Sequence, residues 1–111
     1  MEGTSIELLE YVTEEGDNPF HSWLNSLKDR LARARIRVRL NRVRLGNFGD
    51  CKPVGKGVNE LRVDYGPGYR VYYGTAETSI VILLCGGSKK SQTKDIQLAQ
   101  EYWADFQRRV P

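Results

Sequence analysis

The stretch ARARIRVRLNRVRLG, residues 32–46, determines the fold class of this chain. Within it, residues 33–40 alternate arginine with an apolar residue, which is the pattern of a half-buried strand. The same stretch, however, belongs to a run of 26 residues, 20–45, that contains neither Gly nor Pro, and strands rarely reach half that length. The alternation also changes parity at Asn41, and Ala, Leu and Arg are good helix formers. We therefore predict a helix.

Wound at about 100° per residue, this helix has two apolar stripes on opposite sides. One stripe contains Leu31, Ala34, Val38 and Leu45, and the other contains Ala32, Ile36, Leu40 and Val43. Arginines fill the two gaps between the stripes, with Arg30, Arg33, Arg37 and Arg44 in one gap and Arg35, Arg39 and Arg42 in the other. We expect the helix to be buried on both apolar sides, or buried on one and available to a partner on the other.

The remaining segments predict an α+β chain. Asp17 or Asn18 followed by Pro19 starts a first helix, which ends near residues 28–29 where the arginine-rich helix begins. Strands are predicted at 5–12, 51–54, 59–65, 69–75 and 79–85, the last being a continuous apolar run that Gly86 and Gly87 stop. An amphipathic helix follows from residues 91–93 onward. The predicted order is strand, two helices, four strands and a final helix.

Composition limits the possible functions. A chain of 111 residues is predicted to form one domain, 1–111, and no apolar run approaches the ~20 residues of a membrane span. The first residues, MEGTSIELLEY, lack the signature of an export signal, so we expect a cytoplasmic protein with no membrane partner. Because Cys51 and Cys85 are isolated and the chain has one histidine, we expect no metal site and no cofactor.

Charge is distributed unevenly along the chain. Residues 1–27 contain six acidic residues and no Lys or Arg, whereas residues 28–45 contain seven arginines, one lysine and a single acidic residue. A concentrated basic segment is typical of proteins that bind nucleic acid or an acidic partner, although it is equally typical of a solvated helix face.

The segments NELRVDY (59–65) and YRVYYGT (69–75) flank Gly66-Pro67-Gly68 and predict a hairpin. If the strands pair around a three-residue loop, Arg62 faces Tyr72 and Asp64 faces Arg70. Residues that face each other share one side of a sheet, so one side is apolar and is expected to pack on the helices. The opposite side carries Glu60, Arg62, Asp64, Arg70 and Tyr72.

This polar side is either an ordinary solvent-exposed surface or the floor of a functional site. Arg62 and Arg70 beside Tyr72 could hold a phosphodiester and a stacked base. Lysines from the adjoining segments would add to this cationic surface, namely Lys52, Lys56, Lys89 and Lys90. The alternative is cross-strand ion pairing of Asp64 with Arg70 and of Glu60 with Arg62, worth about 0–1 kcal/mol per exposed pair.

The chain resembles the RelE/ParE superfamily of bacterial toxins, and in particular the HigB-like branch of addiction module killer proteins. The resemblance rests on GNFGDCKPVGKGVNELRVDYGPGYRVYYG (46–74) and ILLCGGSKKSQTKDIQLAQEYW (82–103), and it extends to NPFHSWLNSLKD (18–29). It implies a compact α+β fold in which an N-terminal strand and a helical hairpin pack on a small antiparallel sheet, with a C-terminal helix. It also implies the toxin of a type II toxin–antitoxin system that cleaves mRNA at the ribosome without metal, inhibiting translation.

The resemblance also implies roles for particular residues. Arg70 corresponds to the phosphate-binding arginine of the family, Lys89 or Lys90 to a second cationic position, and Arg62 to a position in the same strand region. Lys52 and Lys56 lie near the basic loop that contacts RNA. Where well-known RelE-type toxins have a lysine this chain has Glu60, and SQTKDI (91–96) offers no match to their catalytic tyrosine. Glu60, Tyr72 or a lysine is therefore the candidate general base.

The resemblance further implies an antitoxin partner, commonly a helix-turn-helix protein through which the toxin reaches operator DNA. The arginine-rich helix is then expected to contact ribosomal RNA, the antitoxin or both, through Arg33, Arg37 and Arg44. Two alternatives remain open because fold does not determine activity. One is a ParE-like, non-enzymatic inhibitor of DNA gyrase, and the other is a degenerate toxin that acts as co-repressor with its antitoxin.

Overall fold

A computed structural model describes residues 5–110. Its helices are α1 (Pro19–Ser26), α2 (Arg30–Arg44) and α3 (Gln92–Arg109), and a short 3₁₀ turn, Lys89–Ser91, precedes α3. Its strands are β1 (Glu7–Glu10), β2 (Cys51–Gly55), β3 (Val58–Val63), β4 (Tyr69–Glu77) and β5 (Ile80–Ser88). The predicted α+β class and the predicted order of elements are confirmed.

The five strands form one mixed sheet in the order β1-β5-β4-β3-β2. Strands β2 to β5 are antiparallel neighbours, as predicted, but β1 runs parallel to β5, with Glu7 opposite Ile80. A purely antiparallel sheet was therefore the wrong expectation. Parallel neighbours need a long crossover connection, and here the chain from α1 to β4 provides it.

The two N-terminal helices begin where capping chemistry places them. The Asn18 side chain accepts a hydrogen bond from the backbone N–H of His21, with Pro19 at the first helical position. Asp29 accepts from the N–H groups of Leu31 and Ala32 and so starts α2 at the predicted break. The Arg33 guanidinium donates to the Leu27 carbonyl and closes the corner between the two helices.

Helices cover both faces of the sheet. On one face α1 and α2 bury Phe20, Leu24 and Ile36 against the predicted apolar side of the hairpin. On the other face α3 buries Ala99 and Trp103 against residues that include Val58, Tyr72, Ile82 and Leu84. Because α3 covers part of the polar side of the hairpin, only the remaining part of that side is accessible to solvent.

Only one apolar stripe of α2 is buried. Ala32, Ile36, Leu40 and Val43 lie in the core, whereas Leu31, Val38 and Leu45 are 51%, 49% and 77% exposed. The structure therefore favours the second of the two predicted arrangements, in which one side of α2 packs on the sheet and the other lies open. Within residues 5–110, no helix combines the length and the apolar character needed to cross a membrane.

Strand β5 continues through Gly86 and Gly87 to Ser88, so these glycines do not stop it as predicted. They are needed because other side chains occupy the space beside them. A Cβ atom on Gly86 would lie 2.7 Å from Cδ2 of the Trp23 ring, and one on Gly87 would lie 2.7 Å from Cγ of Asp95. At these glycines, Trp23 of α1 therefore packs against one face of β5, and Asp95 of α3 packs against the other face.

We expect Gly86→Ala to destabilise the protein by about 1–3 kcal/mol, because the added methyl group overpacks against Trp23, whose ring lies 6.2 Å from that of Tyr69. Urea denaturation measures this change. In a double-mutant cycle, Gly86→Ala should be less destabilising in a Trp23→Leu background than in the wild type. Equal losses of stability in the two backgrounds would show that the added methyl group does not contact the Trp23 ring.

Candidate functional site

The β3–β4 hairpin places two arginines side by side. Arg62 lies opposite Arg70, and Glu60 lies opposite Tyr72, so the register differs by two residues from the predicted one. The loop contains residues 64–68 rather than three residues, because the Tyr65 N–H bonds to the Val63 carbonyl and closes the strand end early. A shift of two residues keeps every side chain on its predicted side of the sheet.

Glu60 lies beneath the two arginines and is completely buried. Its Oε2 accepts hydrogen bonds from the Tyr72 hydroxyl (3.1 Å) and from Nε2 of Gln92 in α3 (2.8 Å). Nε of Arg62 lies 3.5 Å from Oε1, and Nε of Arg70 lies 3.5 Å from Oε2. A buried carboxylate needs such compensation, since an isolated charge is strongly disfavoured away from water.

The two arginine contacts are ionic rather than hydrogen-bonded. Glu60 Oε1, Arg62 Nε and Arg70 Nε are all buried, and none has a hydrogen-bond partner within residues 5–110. The carboxylate therefore attracts the inner edge of each guanidinium by charge. This attraction brings two like charges together on neighbouring strands, which would otherwise repel.

Tyr72 completes this buried cluster as a donor. Its burial, together with the neighbouring Glu60 carboxylate, raises the pKa of the phenol well above its ordinary value. The hydroxyl is therefore protonated at neutral pH and gives its hydrogen bond to Glu60. Neither Tyr72 nor Glu60 has any exposed surface, so these two predicted candidates for the general base lie below the site rather than in it.

A cleft of about 390 Å³ is lined by Arg62 and Arg70, the two arginines that contact Glu60, and we call it the hairpin cleft. Its cationic wall consists of Arg62, Arg70 and Lys89. Arg70 is largely buried, with Nη1 donating to the Gly68 carbonyl at 3.2 Å, and the backbone N–H of Lys89 also bonds to that carbonyl. The turn thus positions both Arg70 and Lys89. Two of the three cations are arginines, whose planar forks suit phosphate oxygens.

A second cleft of about 370 Å³ runs along α2, and we call it the helix cleft. It shares Asp50, Arg62, Val63 and Asp64 with the hairpin cleft. Its other wall is α2, which contributes Arg35, Val38, Arg39 and Arg42. Arg35, Arg39 and Arg42 therefore lie on the side of α2 that faces Arg62. The arginines on the opposite side of α2 do not.

Apart from the buried Glu60 and Tyr72, the predicted site residues fall into three groups. Arg62, Arg70 and Lys89 line the hairpin cleft, and Lys90 is exposed in the turn beside it. Lys52 lies on the edge strand opposite Glu60, and Lys56 lies in the β2–β3 turn against α3, where it lines a different cleft with Gln97 and Gln100.

Arg33, Arg37 and Arg44 lie on the side of α2 away from both clefts. Arg37 and Arg44 line a small cleft with Leu8 and Leu83, Arg44 donates to Asn41, and Arg33 closes the α1–α2 corner. The structure thus places the predicted RNA-contacting arginines apart from the predicted catalytic arginines.

Sequence reasoning did not identify Asp50, Gln92 or the Arg35 side of α2 as parts of the site. Gln92 is the first residue of α3, and nothing in its local pattern distinguishes it from other helix-start residues. Asp50 is in the loop before β2, with its Oδ1 3.9 Å from Arg62 Nε. Among the described residues, 5–110, no group of His, Cys, Asp or Glu side chains is arranged to hold a metal ion.

Comparison with known proteins adds two findings. The family model described as "Phage derived protein Gp49-like (DUF891)" matches residues 22–104, a range that includes both clefts. An uncharacterized protein of Haemophilus influenzae is 52% identical over 81 residues, which cover 73% of this chain and 82% of that protein.

Proposed function

The chain belongs to the Gp49-like family of phage-derived proteins, a toxin-like family, and on that premise we propose that it is the toxin of a type II toxin–antitoxin pair. We assign it to the RelE/ParE fold and to the HigB-like branch. Its activity is metal-independent cleavage of mRNA at the ribosome in the bacterial cytoplasm, which inhibits translation. The observation that carries this proposal is the hairpin cleft, where Arg62, Arg70 and Lys89 surround a space above the buried Glu60.

The reaction we propose is an internal transfer of the phosphoryl group. The ribose 2′-oxygen attacks the adjacent phosphorus, the bond from phosphorus to the 5′-oxygen breaks, and a 2′,3′-cyclic phosphate and a 5′-hydroxyl result. The 2′-hydroxyl proton passes to a base, and the departing 5′-oxygen receives a proton. Negative charge grows on the phosphoryl oxygens in the transition state, and the fixed guanidinium of Arg70 and the Lys89 ammonium stabilise it.

The proton acceptor must come from the cleft wall, because Glu60 and Tyr72 are buried under the arginines. The wall offers the carboxylates of Asp50 and Asp64, whereas Lys89 serves as the ammonium that stabilises the phosphoryl charge. Proton transfer requires direct reach of the 2′-hydroxyl, so these two carboxylates are the groups to replace individually.

We also propose that the cognate antitoxin, a helix-turn-helix protein, covers the exposed stripe of α2, and that operator DNA is contacted only through it. Leu31, Val38 and Leu45 are about half exposed or more. Arginines lie on both sides of this stripe, so an amphipathic segment with acidic flanks fits it by charge. In the inactive complex of toxin and antitoxin, the antitoxin would then shield this exposed stripe of α2 from water.

A translating cell extract tests the proposed activity. We expect the purified protein to cleave mRNA in the presence of ribosomes and to leave naked mRNA intact. Cleavage should persist with a chelator that removes transition metals and leaves the Mg²⁺ of the ribosomes in place. Arg30→Ala should behave like the wild type, because Arg30 lies outside the hairpin cleft. Intact mRNA in the extract together with loss of supercoiling by DNA gyrase would contradict the proposal and support the gyrase-inhibitor alternative.

A further inference from the structure

We infer that the helix cleft is a second binding site for the strand that enters the hairpin cleft, and that it holds the phosphodiester backbone of neighbouring nucleotides of single-stranded RNA. This inference rests on the proposed function, since it extends the same substrate beyond the reacting phosphate. It assigns a separate role to the Arg35 side of α2, which neither the residue pattern nor the family resemblance distinguished from the rest of the arginine-rich helix.

The two clefts adjoin each other. They share four lining residues, and Arg62 lines both of them. A ligand that leaves the hairpin cleft past Arg62 therefore enters the helix cleft directly. Each cleft is near the small end of the volumes found for ligand pockets, about 300–1,000 Å³, so one long ligand fits the pair better than one compact ligand does.

The joined clefts are predominantly cationic. Their cations are Arg35, Arg39, Arg42, Arg62, Arg70 and Lys89, and they face two carboxylates, Asp50 and Asp64. Both carboxylates line the boundary between the two clefts, whereas cations line each cleft beyond that boundary as well. A row of cations along a groove is the arrangement by which proteins follow a nucleic-acid backbone.

The wall that α2 contributes is held firmly in place. Nη2 of Arg39 donates to the carbonyl oxygens of Phe48 (3.2 Å) and Arg62 (3.2 Å), which ties α2 to the loop before β2 and to β3. Gly49 is needed there, since it has a positive φ of 61° and a Cβ atom would lie 2.9 Å from Arg39 Nη1. The Arg35 guanidinium lies 5.1 Å from the centre of the Tyr65 ring. Arg39 therefore builds the wall, and Arg35 and Arg42 present charge along it.

Binding of oligonucleotides of different length tests this inference. We would use fluorescence anisotropy with 2′-O-methyl RNA, which lacks the attacking hydroxyl, and compare a trinucleotide with a dodecanucleotide. The wild type should bind the longer strand more tightly. Arg42→Ala should lose about tenfold in affinity for the longer strand only. For that strand, the slope of log affinity against log salt concentration should become shallower by about 0.7 for each phosphate that is no longer neutralised.

Arg30→Ala is the matched control, since Arg30 is an exposed arginine of the same helix that lines neither cleft. It should bind both strands like the wild type. Asp64→Asn should bind the longer strand more tightly than the wild type, because it removes a negative charge from the junction of the clefts.

Three results would overturn the inference. First, the wild type could bind both strands equally. Second, Arg30→Ala could weaken binding as much as Arg42→Ala. Third, Arg42→Ala could weaken binding of the trinucleotide as much as binding of the longer strand, as expected if another strand occupied the helix cleft. None of these results affects whether mRNA is cleaved in the translating extract. Conversely, length-dependent binding by a protein that cleaves no mRNA would contradict the proposed function and leave the binding groove in place.

Discussion

Replacing Glu60 with alanine is expected to destabilise the fold by about 3–5 kcal/mol, the range found when one partner of a buried ion pair is removed. The substitution leaves Arg62 and Arg70 opposite each other on neighbouring strands without the carboxylate between them. It also removes the acceptor of the Tyr72 hydroxyl and of the Gln92 amide. Urea denaturation of the purified variant measures the loss.

Glu77→Ala is the matched control, because Glu77 is an exposed glutamate at the end of β4. We expect it to change the free energy of unfolding by about 0.5 kcal/mol or less. Glu60→Gln separates charge from shape, since the amide oxygen can still accept from Tyr72 while the attraction to both arginines is lost. A Glu60→Ala variant as stable as Glu77→Ala would show that the buried carboxylate does not balance the arginines.

Arg70→Ala is expected to lower the rate of mRNA cleavage by about 10²–10³, the effect of removing one fixed donor to a developing oxyanion. Arg70 is the most buried cation of the hairpin cleft, and it is held by Glu60 on one side and by the Gly68 carbonyl on the other. Arg70→Lys keeps the charge but loses the planar fork, so its rate should lie between those of the wild type and Arg70→Ala.

The comparison requires that both variants remain folded, which circular dichroism and denaturation check. Arg30→Ala should retain the wild-type rate, because Arg30 lines neither cleft. Cleavage by Arg70→Ala at the wild-type rate would show that Arg70 does not take part in the reaction. An equal loss of rate in Arg30→Ala would show that the rate depends on total charge alone.

Features encoded over a few residues were predictable from the sequence. The start of α1 at Asn18 and Pro19 and the start of α2 at Asp29 depend on local capping, and the absence of Gly and Pro across residues 20–45 distinguishes helix from strand. The element order followed from such signals. The direction of β1 did not, because it depends on β5, a partner strand far away along the chain.

The hairpin register shows the same limit within the site. Alternation places Arg62 and Arg70 on one side of the sheet in either register, so the sequence predicts that they share a surface. Whether Arg70 faces Asp64 or Arg62 depends on how the turn closes, and the Val63–Tyr65 hydrogen bond decides it. The ion pair of Asp64 with Arg70 was therefore a wrong expectation, whereas that of Glu60 with Arg62 is present.

The arginines of α2 show why the helix cleft could not be predicted. Both stripes of α2 are apolar, so periodicity alone does not show which one is buried. Even when Ile36 and Leu40 are known to be buried, arginines flank that stripe on both sides. Which side lies beside Arg62 is set by the way α2 crosses the sheet, and that is a property of the whole fold.

Mapping the ends of cellular transcripts after brief induction is the decisive experiment for the proposed nuclease, with the wild type compared to Arg70→Ala. We expect breaks inside coding regions, in codon register, that are absent when folded Arg70→Ala is produced. Intact transcripts in cells that nevertheless stop growing on induction of the wild type would show that the protein does not act on mRNA.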